Sequence, residues 1–312
     1  MSQAPSPQNP GLTNWLLIAS LGVIWGAAFM LVSVSLEGFG PWTVAAGRTL
    51  LGGAVLWVLG AALGQGLNTI PSARGWAFAI AIGLGAIALP FALLSWGQQF
   101  IPSAFAGVAM GAVPLLVLPL VALFSPNEGI GPRRIIGIVL GFIGLAILLG
   151  KEAISPSGDA LEGAGRIACL CAAACYACGS VTTRRAPKMP PLAFATACLL
   201  VAAVVLVPIA VIAEGLPTAF PPRPTAALIL AALLPTAAAT VIRVRVITTA
   251  GSLFMSLTSY QVPIWSVLFG VLLLGEALPP QLFIALALIL LGIAVSQSRA
   301  IGQALRGPGS SR

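Results

Sequence analysis

Histidine is absent from this chain of 312 residues, and charged residues of every kind are scarce. Only 7% of the residues are charged, whereas soluble domains contain about 25%. Without histidine the chain lacks the commonest general base and the commonest metal ligand, which argues against most enzyme chemistries. Because 59% of the residues are apolar and the mean hydropathy is +1.05, a water-soluble fold is excluded.

Long apolar runs separated by Gly, Pro and charged residues predict an all-α integral membrane protein with ten transmembrane helices. Each run has about the 20 residues that a bilayer requires, so no length remains for a soluble domain. The predicted spans are 12–36, 42–63, 75–98, 102–124, 134–150, 164–183, 192–213, 225–248, 252–274 and 280–297.

The few charges are distributed unevenly between the two sides of these spans. Eleven of the 15 Lys and Arg residues fall on the side that holds both termini, and only Lys151, Arg166 and Arg223 fall opposite. Cytoplasmic loops carry the excess of Lys and Arg, so both termini are predicted to be cytoplasmic, in a bacterial inner (plasma) membrane. The net charge of +8 therefore reflects membrane topology, and no nucleic-acid partner is predicted.

The sequence also repeats itself weakly at a spacing of about 150 residues. Five helices per copy, an odd number, would insert the second copy upside down, so the prediction is two inverted five-helix repeats, residues 1–150 and 151–312. The matching pairs are Ser33 and Thr183, Pro41 and Pro191, Ser103 and Ser252, Gly107 and Ser256, Pro114 and Pro263, Glu128 and Glu276, and Gly144 and Gly292.

Prolines and polar residues near the centres of the spans are the first candidates for a functional site. Pro114, Pro235 and Pro263 are predicted helix breaks, because proline removes a backbone donor and frees a carbonyl. The small-residue ladder of the fourth span ends in Gly111, where the second repeat has Tyr260. Tyr260 and Gln261 lie centrally, and polar groups there are ligand candidates because each needs a partner in an apolar interior.

Arg48 is a cation inside the second predicted span, and its role stays open between two readings. Its planar guanidinium could hold a substrate carboxylate. Alternatively it is structural, snorkelling to the surface or bonded to carbonyls or to an outer acid such as Glu37 or Glu276. Four of the five cysteines lie in the sixth span, where small-residue packing is expected and neither a metal nor a cofactor site is predicted.

These features together resemble a known family. Trp25-Gly26 lies in the first span, Arg48 in the second, and Pro114 and Pro263 in the fourth helix of each repeat, each followed by Glu. The chain resembles the EamA-type exporters of the drug/metabolite transporter superfamily over nearly its full length, and among them the YddG type of bacterial amino-acid exporter. The resemblance implies a central cavity lined by the third, fourth, sixth and ninth helices. Its residues here would be Pro90, Leu94, Met110, Gly111, Tyr176, Ser259 and Tyr260, with Trp25 as a further wall.

The resemblance implies export of small metabolites, foremost neutral amino acids, by alternating access. No acid falls at the membrane centre, which favours facilitated diffusion over ion coupling. The alternatives are an exporter of drugs or other metabolites, a proton-coupled antiporter, and an intramembrane enzyme. The expected partners are a small-molecule substrate and the lipid bilayer. The oligomeric state stays open, because the Gly137 and Gly141 face could pack internally or form a dimer.

Overall fold

The computed structural model describes residues 11–124, 132–150, 160–296 and 298, and every regular element in these ranges is helical. Two π-helical segments, Gly83–Ala88 and Leu233–Ala238, and a 3₁₀ turn, Leu67–Thr69, accompany the α-helices. The α-helices are α1 (Leu12–Leu36), α2 (Pro41–Ala62), α3 (Ala73–Ile82), α4 (Leu89–Gly97), α5 (Ser103–Met110), α6 (Val113–Phe124), α7 (Pro132–Leu149), α8 (Ala160–Arg184), α9 (Pro191–Glu214), α10 (Pro222–Ala232), α11 (Ala239–Met255), α12 (Thr258–Leu274) and α13 (Pro280–Ser296).

Seven helical stretches within these described ranges are long and apolar enough to cross a bilayer. They are Leu12–Leu36, Pro41–Ala62, Ala73–Gly97, Ser103–Leu120, Leu161–Arg184, Pro191–Glu214 and Pro222–Gly251. Three more apolar helices, Ile135–Leu149, Thr258–Leu274 and Pro280–Ser296, have only 10–17 residues. The all-helical membrane class is confirmed, whereas the number of ten spans stays a prediction because it includes these three shorter helices.

The outer surface of the bundle is apolar. Val58 is 63% exposed, Val204 72% and Ile212 85%, and further Leu, Ile and Phe side chains accompany them. Soluble proteins seldom expose apolar patches of this extent. The surface is therefore suited to contact with lipid chains.

The backbone repeats at the spacing that the sequence shows. Pro41 and Pro191, which are 150 residues apart, are the first residues of α2 and α9. Proline suits this position because the first N–H of a helix has no intrahelical acceptor. Gly83 and Leu233, also 150 residues apart, begin the two π segments. A local distortion of the helix thus recurs together with the sequence pattern.

The first helix of each predicted repeat packs on helices of the other repeat. Helix α1 lies along α12 and α10, and α8 lies along α4 and α6. Glycines permit the close approach of α1 to α12, because an added Cβ at Gly22 would strike Gln261 and one at Gly26 would strike Trp265. The two halves are therefore interlocked rather than placed side by side.

Helices α7 and α13 form the other close pair, and their contact bears on the open question about Gly137 and Gly141. An added Cβ at Gly137 would overlap the carbonyl oxygen of Gly292, and one at Gly141 would overlap the side chain of Leu115. The face is thus filled from within the same chain, by α13 and α6. This contact favours the internal-packing alternative for that face.

Candidate functional site

Four of the predicted cavity residues meet around one buried cluster in the bundle. Leu94 of α4 is only 4% exposed and belongs to the cluster, and Met110, Tyr176 and Tyr260 are half-buried and pack against it. These four residues come from α4, α5, α8 and α12. Helices that are distant in sequence thus bring the predicted residues to one region, called here the central cluster.

Several polar atoms near this region have no partner in the described part of the chain. The hydroxyl of Tyr260 and the Oγ atom of Ser95 are both inaccessible to solvent and form no hydrogen bond there. Burying a hydroxyl without a hydrogen bond costs about 1–3 kcal/mol on the scale of protein mutations. Such groups commonly mark a place where a ligand or a water molecule completes the bonding.

Arg48 of α2 lies against Phe91, which belongs to an adjacent, mostly alanine-lined cluster of α2, α4 and α9. The side chain is 5% exposed, and its Cζ atom is 4.1 Å from the centroid of the Phe91 ring. Tyr176 packs against both this cluster and the central cluster. Arg48, Phe91 and Tyr176 therefore form one group, called here the arginine pocket.

The two acids considered as partners for Arg48 are engaged elsewhere. Glu37 forms an ion pair with Arg223 at 3.3 Å. Glu276 accepts hydrogen bonds from the backbone N–H groups of Ser103, at 2.6 Å, and Ala104, at 3.1 Å. Among the alternatives for Arg48, pairing with one of these two acids is therefore not observed, because both carboxylates lie at helix ends and bond other groups there.

The second π segment shows how the backbone adapts to a proline. Pro235 has no N–H to donate to the carbonyl of Ala231, and the hydroxyl of Thr236 donates to that oxygen instead, at 2.9 Å. The indole N–H of Trp25 donates to the carbonyl oxygen of Pro235 at 3.2 Å. Trp25 thereby ties α1 to the distorted segment. Two residues singled out separately in the sequence are in direct contact.

The first π segment ends directly before α4, and Pro90 is the second residue of that helix. Phe91 follows at once and faces Arg48. Sequence reasoning did not select Phe91. The sequence did offer a reason to select Phe91, because it is an aromatic residue next to Pro90, which was expected to line the cavity. π segments are frequent at functional sites, where they redirect side chains.

The fourth predicted span is interrupted where the sequence suggested. Helix α5 ends at Met110, a turn covers Gly111 and Ala112, and α6 begins at Val113. Pro114 is the second residue of α6, where no hydrogen bond is lost. An added Cβ at Gly111 would lie 2.7 Å from Cγ of Pro263, so the side chain missing at Gly111 makes room for α12.

The break in the ninth predicted span differs from the expectation. Helix α12 continues through Pro263, and the interruption lies earlier, in a turn at residues 256–257. Pro263 lies in the second turn of α12, where its missing N–H frees only the carbonyl of Ser259. Ser259 is half-buried close to the start of the helix, and Gln261 contacts α1 at Gly22.

Side chains at the helix ends join the two predicted repeats reciprocally. Glu214 at the end of α9 accepts from the backbone N–H of Trp42, at 2.9 Å, and of Thr43, at 2.8 Å, at the start of α2. Gln65, just after α2, accepts from the N–H of Leu192 at 3.3 Å, near the start of α9. Each contact satisfies N–H groups that a helix start leaves free. Glu128, the sequence counterpart of Glu276, lies outside the described residues.

The described residues contain no cluster of three or more His, Cys, Asp or Glu side chains that could hold a metal ion. Among the cysteines of α8, Cys171 and Cys178 are exposed on its surface, and Cys169 is buried. Each described carboxylate lies in a loop or at a helix end, namely Glu37, Glu162, Glu214 and Glu276. The arrangement offers apolar walls, a few unpaired polar atoms and one buried cation.

Comparisons with known proteins agree with this architecture. The chain is 30% identical to the uncharacterized inner membrane transporter YedA of Escherichia coli K12 over 167 residues, which cover 52% of this chain and 50% of YedA. It is 25% identical over 140 residues to an uncharacterized transporter of Archaeoglobus fulgidus, covering 44% of this chain and 48% of that protein. These matches span about half the length of each relative.

Two other similarities extend over nearly the whole chain. The uncharacterized transporter YoaV of Bacillus subtilis is 25% identical over 281 residues, which cover 88% of this chain and 94% of YoaV. A protein of known crystal structure superposes with a TM-score of 0.66 at 25% identity, covering 92% of this chain and 98% of the other. The sequence profile of the EamA-like transporter family matches residues 13–150 and 163–297. This chain therefore belongs to the EamA-like transporter family.

Proposed function

We propose that this transporter exports small or medium neutral amino acids from the cytoplasm by alternating access through a cavity at the central cluster. The observation that carries the proposal is the unpartnered hydroxyl of Tyr260, buried beside the apolar residues Leu94 and Met110. Binding sites for small molecules are mostly apolar, with a few polar groups that fix the orientation of the ligand. Such a site suits a small zwitterion with an apolar side chain.

The proposal includes facilitated transport without a coupling ion. Carriers driven by protons or sodium usually keep an ionisable residue within the membrane. The described carboxylates lie in loops or at helix ends, and none lies in the middle of a described helix. The proposal also places the binding residues between two inverted repeats, 1–150 and 151–312, with both termini in the cytoplasm. A reporter fused to the C-terminus and active only in the cytoplasm tests that orientation.

The direct test is counterflow of labelled amino acids in proteoliposomes, with and without imposed pH and sodium gradients. Saturable flux that neither gradient changes supports the proposal. Accumulation driven by a proton gradient would instead identify the antiporter alternative. Absence of flux for all 20 amino acids, with transport of other metabolites or drugs, would overturn the amino-acid assignment.

Replacing Tyr260 with Phe distinguishes an effect on substrate binding from an effect on stability. The variant removes only the hydroxyl that lacks a partner, so thermal stability in detergent should stay equal or rise by about 1 kcal/mol. If the hydroxyl bonds the substrate, flux at low substrate concentration should fall about tenfold. Wild-type flux from the well-folded variant would assign the ring of Tyr260 to packing alone. The same two measurements, thermal stability and flux, are made on Tyr176→Phe for comparison.

A further inference from the structure

Arg48 gives the arginine pocket a positive charge that no described carboxylate pairs with. Arg48 is buried to 95%, because its exposed fraction is 5%. Its guanidinium forms no ion pair with a carboxylate of the described residues, and its Nε atom has no hydrogen-bond partner there. Placing Arg at the centre of a membrane helix costs about 2.5–3.5 kcal/mol on insertion scales. A charge retained at that cost requires a compensating group.

The neighbours of Arg48 compensate it only partly. The Phe91 ring lies over one face of the guanidinium, an attraction of about 0.5–2 kcal/mol. Stacking of this kind uses the face of the planar group and leaves the N–H groups at its edge free to donate. The hydroxyl of Thr49, one residue along α2, donates to the carbonyls of Ala45 and Ala46, at 3.1 and 3.0 Å.

The apolar cluster that contains Phe91 contributes no side-chain acceptor, so the phenol oxygen of Tyr176 is the one side-chain acceptor among the pocket residues named here. The buried members of this cluster besides Phe91 are Ala45, Ala46, Ala88, Ala92, Ala202, Leu206 and Ala210. Tyr176 connects this pocket to the central cluster, since its side chain packs against both. A ligand in the central cluster could thus present an anionic end to Arg48 and an apolar end to Leu94 and Met110.

We infer that the arginine pocket is an anion subsite, in which Arg48 binds the carboxylate of the transported molecule while Phe91 holds the guanidinium in place. A carboxylate matches the fork of Arg with two parallel hydrogen bonds and balances its single charge. A phosphate dianion would need further cations, and the pocket residues named here supply only Arg48. This inference rests on the proposed function, because it assigns one end of the amino acid to a named residue.

The test compares Arg48→Met and Arg48→Lys with the wild type, and uses Arg245→Gln as the matched control. Arg245 is an exposed arginine of α11. Two readouts are needed: thermal stability without and with ligand, and KM for each of 20 amino acids and for their carboxamides, which lack the carboxylate. Short carboxylates without an amino group, propionate and 4-methylpentanoate, are additional stabilisation probes.

The subsite predicts three results together. Arg48→Met without ligand is as stable as the wild type or more so, because Met fills similar volume without a buried charge. Its KM for amino acids rises about 10- to 100-fold, the loss of a charge-assisted bond, and it no longer prefers amino acids over their carboxamides. The KM of Arg48→Lys lies between those of the wild type and Arg48→Met, because the ammonium group keeps the charge but loses the forked geometry of the guanidinium. Arg245→Gln behaves like the wild type.

Other outcomes overturn one proposal or the other. If wild-type protein transports amino acids, and Arg48→Met keeps both the wild-type KM and the preference over carboxamides, the anion subsite is wrong and the proposed function stands. A loss of stability in ligand-free Arg48→Met, with unchanged KM, would make Arg48 structural. If the carboxylates stabilise only proteins with Arg48 while no amino acid is transported, the subsite stands and the amino-acid function fails. If the wild type transports no amino acid and no carboxylate stabilises it, both are overturned.

Discussion

Replacing Gly107 with Ala should cost about 3 kcal/mol of stability or more, although it adds a single methyl group. The added Cβ would overlap the Oγ and Cβ atoms of Ser266 and lie 3.2 Å from Cδ2 of Phe29. Ser266 is 1% exposed and its hydroxyl donates to the carbonyl of Pro263 at 2.9 Å, so it cannot turn away freely. Overpacking of this kind typically costs 1–3 kcal/mol, and more where the backbone must move. Thermal unfolding in detergent measures the loss.

A matched control and a compensating change make this prediction specific. Gly85→Ala adds the same methyl group where no atom lies within 4 Å, so its stability should stay within about 0.5 kcal/mol of the wild type. The double variant Gly107→Ala with Ser266→Gly removes the overlapping side chain and should be more stable than Gly107→Ala alone. Simple additivity of the two single losses would contradict the contact between α5 and α12.

Replacing Glu276 with Ala should cost about 2–4 kcal/mol, far more than removal of another surface acid. Its carboxylate accepts from the N–H groups of Ser103 and Ala104, at 2.6 and 3.1 Å, and both of these residues are 0% exposed. Without Glu276 two buried donors lose their acceptor, at about 1–3 kcal/mol each. The negative charge also lies at the start of α5, where the helix dipole favours it. Thermal unfolding again provides the measurement.

Glu37→Ala is the comparison that isolates this effect. Glu37 pairs with Arg223 at 3.3 Å, and the two side chains are 46% and 66% exposed. An exposed ion pair contributes about 0–1 kcal/mol, so this variant should be nearly as stable as the wild type. Glu276→Gln keeps one acceptor oxygen and should lose roughly half as much as Glu276→Ala. Equal losses for Glu37→Ala and Glu276→Ala would show that Glu276 does not cap α5.

Much of the fold was predictable because membrane helices follow simple local rules. Apolar run length gave the helical class, and Pro41 and Pro191 marked the starts of α2 and α9. The break in the fourth span also has a local signal, because the turn at residues 111–112 lies directly before α6, in which Pro114 is the second residue. These features depend on hydropathy and on the missing N–H of proline, which any single sequence displays.

The features that were missed depend on contacts between distant residues. Leu233–Ala238 contains Pro235, a predicted helix break, but Gly83–Ala88 contains no proline, so nothing comparable indicates its π geometry. The ninth predicted span breaks before Pro263 and not at it. Helix α12 tolerates this proline because it lies in the second turn. Glu276 accepts a hydrogen bond at the start of α5, and the Phe91 ring stacks on Arg48; each contact joins elements far apart in the chain. Such pairings are set by tertiary packing.

The interlocking of α1 with α12 determines the order in which the protein can assemble during synthesis. Helix α1 is inserted first, but Ser266, whose backbone N would lie 3.1 Å from a Cβ added at Gly26, is synthesised 240 residues later. The glycine face of α1 therefore has no partner until α12 has been synthesised. Expressed separately, the two halves would each carry a first helix without its main contact surface. A gene split between them should yield stable protein only when both halves are made in the same cell.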